Sequence, residues 1–236
     1  VASGEVEGWV HNQFSMDEHN EYFRVATTKE LVSPRERPRL QNNLYVLNER
    51  LEIIGRAEGL APEETIYAAR FIGDRAYMVT YEPRRGDPLF VIDLSDPYAP
   101  TVLGELKIPG FSSYLNPYDD NTLIGFGEEA PVERDLGGGA RMIAPGALKM
   151  ALFDVSDVAH PREKFKETLG GPGTRSEVLN NHKALLFDKG LGVMAFPVTV
   201  VDELTNEGPR QSFVGALVYD IGSPDRFKLK GRLTHI

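Results

Sequence analysis

Cysteine is absent from this 236-residue chain, and its absence excludes several kinds of chemistry. Without it there can be no disulfide, zinc–thiolate centre, cysteine-ligated iron–sulfur cluster or cysteine nucleophile. Basic residues are also in the minority, since 26 Lys and Arg face 35 Asp and Glu, giving a formal net charge of −9. That balance argues against a nucleic-acid or anionic-membrane surface, because both need a basic footprint.

Long apolar runs and targeting signals are missing as well. No run approaches the roughly 18 residues that span a bilayer, and no signal peptide or lipidation motif opens the chain. There is no Asn-X-Ser/Thr sequon, which fits a prokaryotic or an intracellular protein without selecting either. Because the sequence begins at Val1, we expect it to be a processed product or an excerpt.

A repeated segment is the main feature that the sequence does contain. Residues 91–106, VIDLSDPYAPTVLGEL, return as LFDVSDVAHPREKFKE at 152–167 and, more weakly, at 218–233 and 44–57. The shared aspartates and Ser-Asp-Pro residues are typical of turns, since carboxylate and hydroxyl oxygens accept from turn N–H groups while proline presets φ. Repeats of this size indicate a stacked or radial architecture.

Each repeat predicts four short antiparallel strands. In the clearest one, strands over 66–72, 76–81, 89–93 and 101–106 are separated by turn residues, and four strands in about 45 residues are one propeller blade. We therefore predict an all-β fold, a β-propeller with about four blades in this chain. The predicted boundaries are an outer strand of a preceding blade at 1–12, then blades at about 13–60, 61–110, 111–171 and 172–236.

The two ends of the chain resemble each other. Val6 to Gln13 and Leu229 to Ile236 both set a fourth-strand glycine, Gly8 or Gly231, among alternating apolar residues. A closed ring has no need of two outer strands. We expect the chain to be about half of a larger ring, or to complete the ring as a homo-oligomer by pairing with another copy.

Several stretches resemble a known family. FSMDEHNEYFRVATT (14–28), residues 87–117, ALKMALFDVSDVAHP (147–161) and NHKALLFDKG (181–190) are similar to secreted prokaryotic proteins with a C-terminal β-propeller domain distantly related to WD repeats. The resemblance covers nearly the whole chain. It implies an exported or cell-surface protein and a propeller of more than four blades. The family has no established activity, so it supplies no catalytic residues.

Three long insertions separate the second and third strands of their blades, at 29–41, 127–146 and 199–212. In a propeller such connections leave from one face of the disc, and loops on a rigid scaffold are where binding tends to reside. Arg37, Arg134 and Arg210 are candidate ligand-binding residues of this face, among acidic neighbours. Opposite charges from separate blades favour a peptide, protein or envelope glycan.

His182 is the remaining candidate residue. It opens the predicted innermost strand of the last blade, close in register to Tyr67 of the second, and could be a metal ligand or general base or could bond a neighbouring blade. The acidic cluster 17–21 is interpreted as a turn with a solvated flank. HExxH, Walker-type, GxSxG and dinucleotide motifs are absent, so no metal or cofactor is predicted.

Two functions remain open. The first is a non-enzymatic binding or scaffold module of the cell exterior that uses the insertion face. The second is a hydrolase or metal-dependent enzyme with a channel-mouth site that includes His182 and residues of further blades.

Overall fold

The computed structural model describes residues 1–32, 38–81, 87–108, 110–135, 141–205, 208–223 and 225–234. These residues form two compact units. Unit 1 comprises Val1–Ile108 and Asp157–Pro161, and unit 2 comprises Pro109–Ser156 and Arg162–Ile236. Across the described ranges the regular structure consists of β-strands and three short 3₁₀ helices, so the predicted all-β class is confirmed.

Unit 1 holds two four-stranded antiparallel sheets, each with its strands in chain order. The first sheet contains β1 (Met16–His19), β2 (Tyr22–Leu31), β3 (Arg39–Leu47) and β4 (Ile53–Leu60). The second contains β5 (Thr65–Ile72), β6 (Arg75–Tyr81), β7 (Asp87–Asp93) and β8 (Thr101–Ile108). A 3₁₀ helix, Gln13–Ser15, precedes β1 and is capped by the Asn12 side chain, which accepts from the Phe14 N–H.

Unit 2 holds two further four-stranded sheets and a separate hairpin. One sheet contains β9 (Phe111–Asp119), β10 (Thr122–Glu128), β13 (Leu148–Asp154) and β14 (Arg162–Leu169), and the hairpin pairs β11 (Val132–Asp135) with β12 (Arg141–Ala144). The last sheet contains β15 (Leu186–Asp188), β16 (Val193–Thr205), β17 (Gly208–Asp220) and β18 (Lys228–Leu233). Two 3₁₀ helices, Glu177–Leu179 and His182–Ala184, lead into β15.

The repeated aspartates form turns, as the sequence indicated. Asp93 accepts a hydrogen bond from the Ser95 N–H at 3.0 Å, Asp154 accepts one from the Ser156 N–H at 3.0 Å, and Asp220 accepts one from the Gly222 N–H at 2.9 Å. Each carboxylate thus satisfies a main-chain donor of the turn between the third and fourth strands.

The fourth-strand glycines allow a turn to approach the strand closely. A Cβ on Gly55 would overlap the carbonyl oxygen of Pro97, and one on Gly104 would overlap that of Val158, both within unit 1. Gly4 has the same relation to the carbonyl of Leu51 in the turn between β3 and β4. The likeness of the two chain ends predicts that Gly8 is another fourth-strand glycine. In the structure, however, Gly8 has a φ of +97° and faces the carbonyl of Thr28.

Residues 1–12 form one isolated bridge, Trp9 to Thr28, and no named strand among the described residues. Val6 and Val10 pack against a buried cluster of Val25, Tyr45 and Leu47, so this segment covers part of the first sheet. Whether it is the outer strand of a preceding blade stays a prediction.

Two predictions about the insertions were wrong. The described residues of 199–212 do not form a loop, because β16 continues to Thr205 and pairs with β17, which begins at Gly208. Residues 127–146 contain the β11–β12 hairpin. Polar residues made both segments look irregular in sequence, but cross-strand pairing satisfies their main-chain groups. The first insertion, 29–41, is likewise shortened by β2 and β3, which pair from Lys29↔Gln41 to Leu31↔Arg39.

Candidate binding surface

The described residues of the insertions are largely paired as hairpins, and we call them the hairpin extensions: 29–32 with 38–41, 127–135 with 141–146, and 199–205 with 208–212. The first belongs to unit 1 and the other two to unit 2. Cross-strand pairing fixes the described residues of each hairpin extension. The candidate binding surface therefore consists of β-ribbons where the sequence predicted loops.

Charged residues on the hairpin extensions pair across their own strands. Glu133 and Arg141 lie 3.2 Å apart on the β11–β12 hairpin, with both side chains mostly exposed. The Ser212 hydroxyl donates to Asp202 at 2.6 Å, and Glu203 stands opposite the exposed Arg210. Exposed pairs of this kind stabilise a protein by roughly 0–1 kcal/mol, so they give charge to the surface more than stability.

Large apolar side chains are exposed on the same extensions. Val32 is 75% exposed in the first extension and Ile143 is 74% exposed in the second, while Leu31 and Val132 are each about two-fifths exposed. Single exposed apolar residues are ordinary, whereas apolar side chains that group into one patch are typical of surfaces that contact another protein.

A partly exposed polar cluster anchors the base of the β11–β12 hairpin. Glu129 accepts from the Thr168 hydroxyl at 2.8 Å and lies 3.0 Å from the Lys166 ammonium, and its N–H donates to the Ala147 carbonyl at 2.9 Å. Burial alone would raise the pKa of Glu129, but the hydrogen bonds from Thr168 and Lys166 and the charges of Lys166 and Lys149 lower it below its usual value. The carboxylate is therefore held ionised as a structural anchor.

The base of the β16–β17 extension is held by the preceding linker, 170–176. Arg175 and Thr199 exchange two main-chain hydrogen bonds, of 3.1 and 2.9 Å. The Thr174 hydroxyl accepts from the Val201 N–H at 2.9 Å, and the Gly171 N–H donates to the Val201 carbonyl at 2.6 Å. The linker thus fixes the base of the β16–β17 extension. A fixed base reduces the conformational entropy that the extension loses when it binds a partner.

The predicted ligand-binding residues lie on several elements of the two units. Arg210 is exposed on β17, and Arg134 lies in β11, where its main chain pairs with Met142. Arg37 lies outside the described residues. His182 and Tyr67 belong to different units, and each has its own surroundings.

His182 does not open a strand as predicted. It begins the 3₁₀ helix His182–Ala184, because the Asn181 side chain accepts from the Lys183 N–H at 3.1 Å and caps this turn. The innermost strand β15 starts only at Leu186. Among the residues that the structure describes, no group of three or more His, Asp or Glu side chains is placed to hold a metal ion.

Tyr67 lies in an aromatic cluster of unit 1. Its ring stacks on His11, with centroids 6.3 Å apart, and meets Tyr81 edge-on at 5.0 Å. Burial lowers the pKa of His11, so its imidazole is neutral at pH 7. Sequence reasoning missed His11 because it lies in the irregular segment before β1.

The acidic cluster 17–21 is partly used for structure. Asp17 accepts from the buried Arg24 guanidinium at 2.7 Å, and the same guanidinium donates to the Gly73 carbonyl at 2.7 Å. His19 lies 3.2 Å from Asp74. These contacts join the first and second sheets of unit 1 and leave Asp17 committed to an ion pair.

Four-stranded antiparallel sheets, a repeated Asp-containing turn and close glycine contacts define the class of protein as a β-propeller. The comparison with family models gives the particular family. The model described as "Beta propeller domain" matches residues 1–236, and the chain belongs to that family.

The relatives of this chain are archaeal proteins without assigned function. An uncharacterized protein of Archaeoglobus fulgidus is 44% identical over 192 residues, which are 81% of this chain and 27% of the relative. An uncharacterized protein of Methanocaldococcus jannaschii is 42% identical over 197 residues, which are 84% of this chain and 28% of the relative. The chain therefore spans little more than a quarter of these relatives.

Similar solved structures include a variant of the Synechocystis apocarotenoid oxygenase, with 6% identity, a TM-score of 0.42, and 89% of this chain and 46% of that chain covered. The cobalt-substituted form of that oxygenase gives 9% identity, a TM-score of 0.44, and coverage of 91% and 50%. None of the described residues lies in a helix long and apolar enough to cross a membrane.

Proposed function

We propose that this β-propeller is a non-enzymatic binding module whose hairpin extensions contact a protein or peptide. The observation that carries the proposal is the exposure of large apolar side chains, above all Val32 and Ile143, on ribbons that also carry charged residues. Apolar contact area with a polar rim is the usual composition of a protein interface. An envelope glycan remains a second class of ligand, recognised through the charged residues alone.

The fixed bases of the two hairpin extensions in unit 2 support the same proposal. Glu129 fixes the base of one hairpin, and the Arg175–Thr199 pairing fixes the base of another, so both ribbons of unit 2 are ordered before a partner arrives. Ordered ribbons lose less conformational entropy on binding than loops do. The sheets then serve as a scaffold.

The proposal also places the protein at the exterior of a prokaryotic cell. Its support is the resemblance of the repeated motifs to secreted proteins with a C-terminal propeller. Labelling of intact source cells with a membrane-impermeant biotin reagent tests this part: an exterior protein is biotinylated without lysis, and an interior one is labelled only after lysis.

Selection against a random-peptide display library and a glycan array tests the binding function. In the first variant, residues 202–211 are replaced by a two-residue turn; in the second, Ile143→Ser removes an exposed apolar side chain. The control variant is Glu49→Lys with Arg50→Glu, on the turn between β3 and β4. Ligands selected by the native chain should bind the two hairpin variants at least tenfold more weakly and the control variant unchanged.

Equal binding by all variants would show that the hairpin extensions are not the binding surface. Failure to select any peptide or glycan would count against a binding module. Selection of glycans that are insensitive to Ile143→Ser would replace the protein-binding proposal with the glycan one.

A further inference from the structure

One face of the last sheet is uncovered although its side chains are apolar. Along β17 the residues Leu217 and Tyr219 are buried, whereas Val214, Ala216 and Val218, which point to the opposite face, are exposed or half-exposed. On β16 the pattern is the same, with Phe196 buried and its neighbours Ala195 and Pro197 half-exposed. One face is therefore covered and the other is open.

The strand register brings these open residues into rows. Ala195 stands opposite Val218, which stands opposite Gly231, and Pro197 stands opposite Ala216, which stands opposite Leu233. Leu186 on β15 completes the first row through its pairing with Ala195. Leu186 is 55% exposed, Val214 48% and Leu233 64%.

An antiparallel sheet with a solvated face normally carries polar residues there. Here the open face is apolar and forms one side of a groove of about 680 Å³, lined by Pro197, Val214, Ala216 and Leu233, with Arg175 and Glu177 at its polar end. By contrast, consecutive residues are buried along β7, from Leu89 to Ile92, and along the whole of β13, so both faces of those strands are covered. The open face of the last sheet therefore has the apolar composition of a sheet face that is packed against another segment.

The surroundings of Gly231 indicate what kind of segment covers the open face of the last sheet. Gly55 and Gly104, at the matching place in β4 and β8, each face a carbonyl oxygen of a turn between third and fourth strands, whereas a Cβ on Gly231 would meet nothing within 4 Å. The fourth strand of the last sheet thus keeps the glycine, while no turn of the described residues occupies the space in front of it.

No turn among the described residues is free to fill that space. The turn carbonyls of Leu51, Pro97 and Val158 already face Gly4, Gly55 and Gly104. The turn between β17 and β18 packs on β14 instead, where Phe227 meets the Phe165 ring at 5.8 Å and Asp225 lies 2.9 Å from Lys164. A second copy of this chain would not fill the space in front of Gly231 either, because its turns would be occupied in the same way.

We infer that the open face of β15–β18 is the docking surface for a further four-stranded blade from outside residues 1–236, whose turn between its third and fourth strands sets a main-chain carbonyl on Gly231. The relatives make such a blade available, since the matched region is 27–28% of their length and most of each protein lies outside it. This inference concerns a different surface from the hairpin extensions and stands independently of the proposed binding function.

Single-cysteine labelling tests the inference, because residues 1–236 contain no cysteine. Leu233→Cys places a thiol on the open face, and Leu191→Cys, on the exposed turn between β15 and β16, is the matched control. Both variants are prepared in the 236-residue chain and in the natural polypeptide at its full encoded length. The rate of N-ethylmaleimide addition is followed by mass spectrometry of the peptide that carries each residue.

In the 236-residue chain the two thiols should react at similar rates, and in the natural polypeptide the thiol at 233 should react at least tenfold more slowly than the thiol at 191. Equal rates in the natural polypeptide would overturn the inference. So would protection of the thiol at 233 in the 236-residue chain together with a doubled molar mass by light scattering, because a second copy would then be the occupant.

Gly231→Val provides a second readout that needs no labelling. It should lower the melting temperature of the natural polypeptide and leave that of the 236-residue chain unchanged, since only the former has a carbonyl in front of residue 231. An unchanged melting temperature in both proteins would contradict a blade docked as proposed.

Discussion

Replacing a fourth-strand glycine by alanine tests how neighbouring turns and strands are packed. At Gly104 the added Cβ would overlap the carbonyl oxygen of Val158, and the main chain on both sides has to shift. Overpacking of this kind costs roughly 1–3 kcal/mol. Since Gly104 does not have a left-handed φ, alanine also gains about 0.5–1 kcal/mol from the reduced entropy of the unfolded chain. Mid-range values of these two effects leave a net loss of about 1–2 kcal/mol.

Gly231→Ala is the matched control in the same 236-residue chain. Its Cβ enters open space and its φ is also not left-handed, so only the entropy gain remains. For a protein of this size 1 kcal/mol corresponds to about 2–4 °C in melting temperature. Differential scanning calorimetry should show Gly104→Ala lowered by roughly 2–8 °C and Gly231→Ala unchanged or slightly raised. Equal shifts in both variants would refute the packing argument.

Three other predictions concern buried polar groups. Asn42→Ala should lower the free energy of unfolding by about 2–4 kcal/mol in urea denaturation, because the two N–H groups of the Asn42 amide are shared among three carbonyls and its oxygen accepts from the Thr28 hydroxyl; a loss below 0.5 kcal/mol would contradict this. The Ser156 hydroxyl and N–H and the Arg162 guanidinium lower the pKa of Asp154 to about 2, so its stabilising effect should be present above pH 4 and be lost as the pH falls to 2, with Asp154→Asn removing that part of an acid titration. Burial and the neighbouring Glu58 raise the pKa of Tyr45 to about 12, so stability should fall between pH 10 and 12 and fall less in Tyr45→Phe; parallel curves would count against the assignment.

The second sheet was the easiest part of the fold to predict. Its strands are rich in aromatic and β-branched residues, Gly73-Asp74 marks a turn, and Asp93 begins the next one, so every predicted strand boundary lies within two residues of the boundaries of β5–β8. These signals are local, and tertiary contacts did not override them.

The hairpin extensions and His182 could not be predicted in the same way. The cross-strand pairing of residues 199–212 depends on partners and not on local apolar periodicity, since Asp202, Glu203 and Arg210 are charged. His182 lies in a 3₁₀ turn because Asn181 caps it, a signal that the surrounding strand-like pattern obscured. The open face of the last sheet is also invisible in sequence, because alternation shows two faces of a strand but not what covers them.

Protein footprinting with hydroxyl radicals is the most direct test of the central claim that the hairpin extensions are the binding surface. The chain would be oxidised with and without a peptide selected by it, and the oxidised residues mapped by mass spectrometry. The account predicts protection of Ile143 or of Val32, with Tyr98, on the turn between β7 and β8, unchanged. Protection of Tyr98 with Ile143 and Val32 unchanged would contradict it.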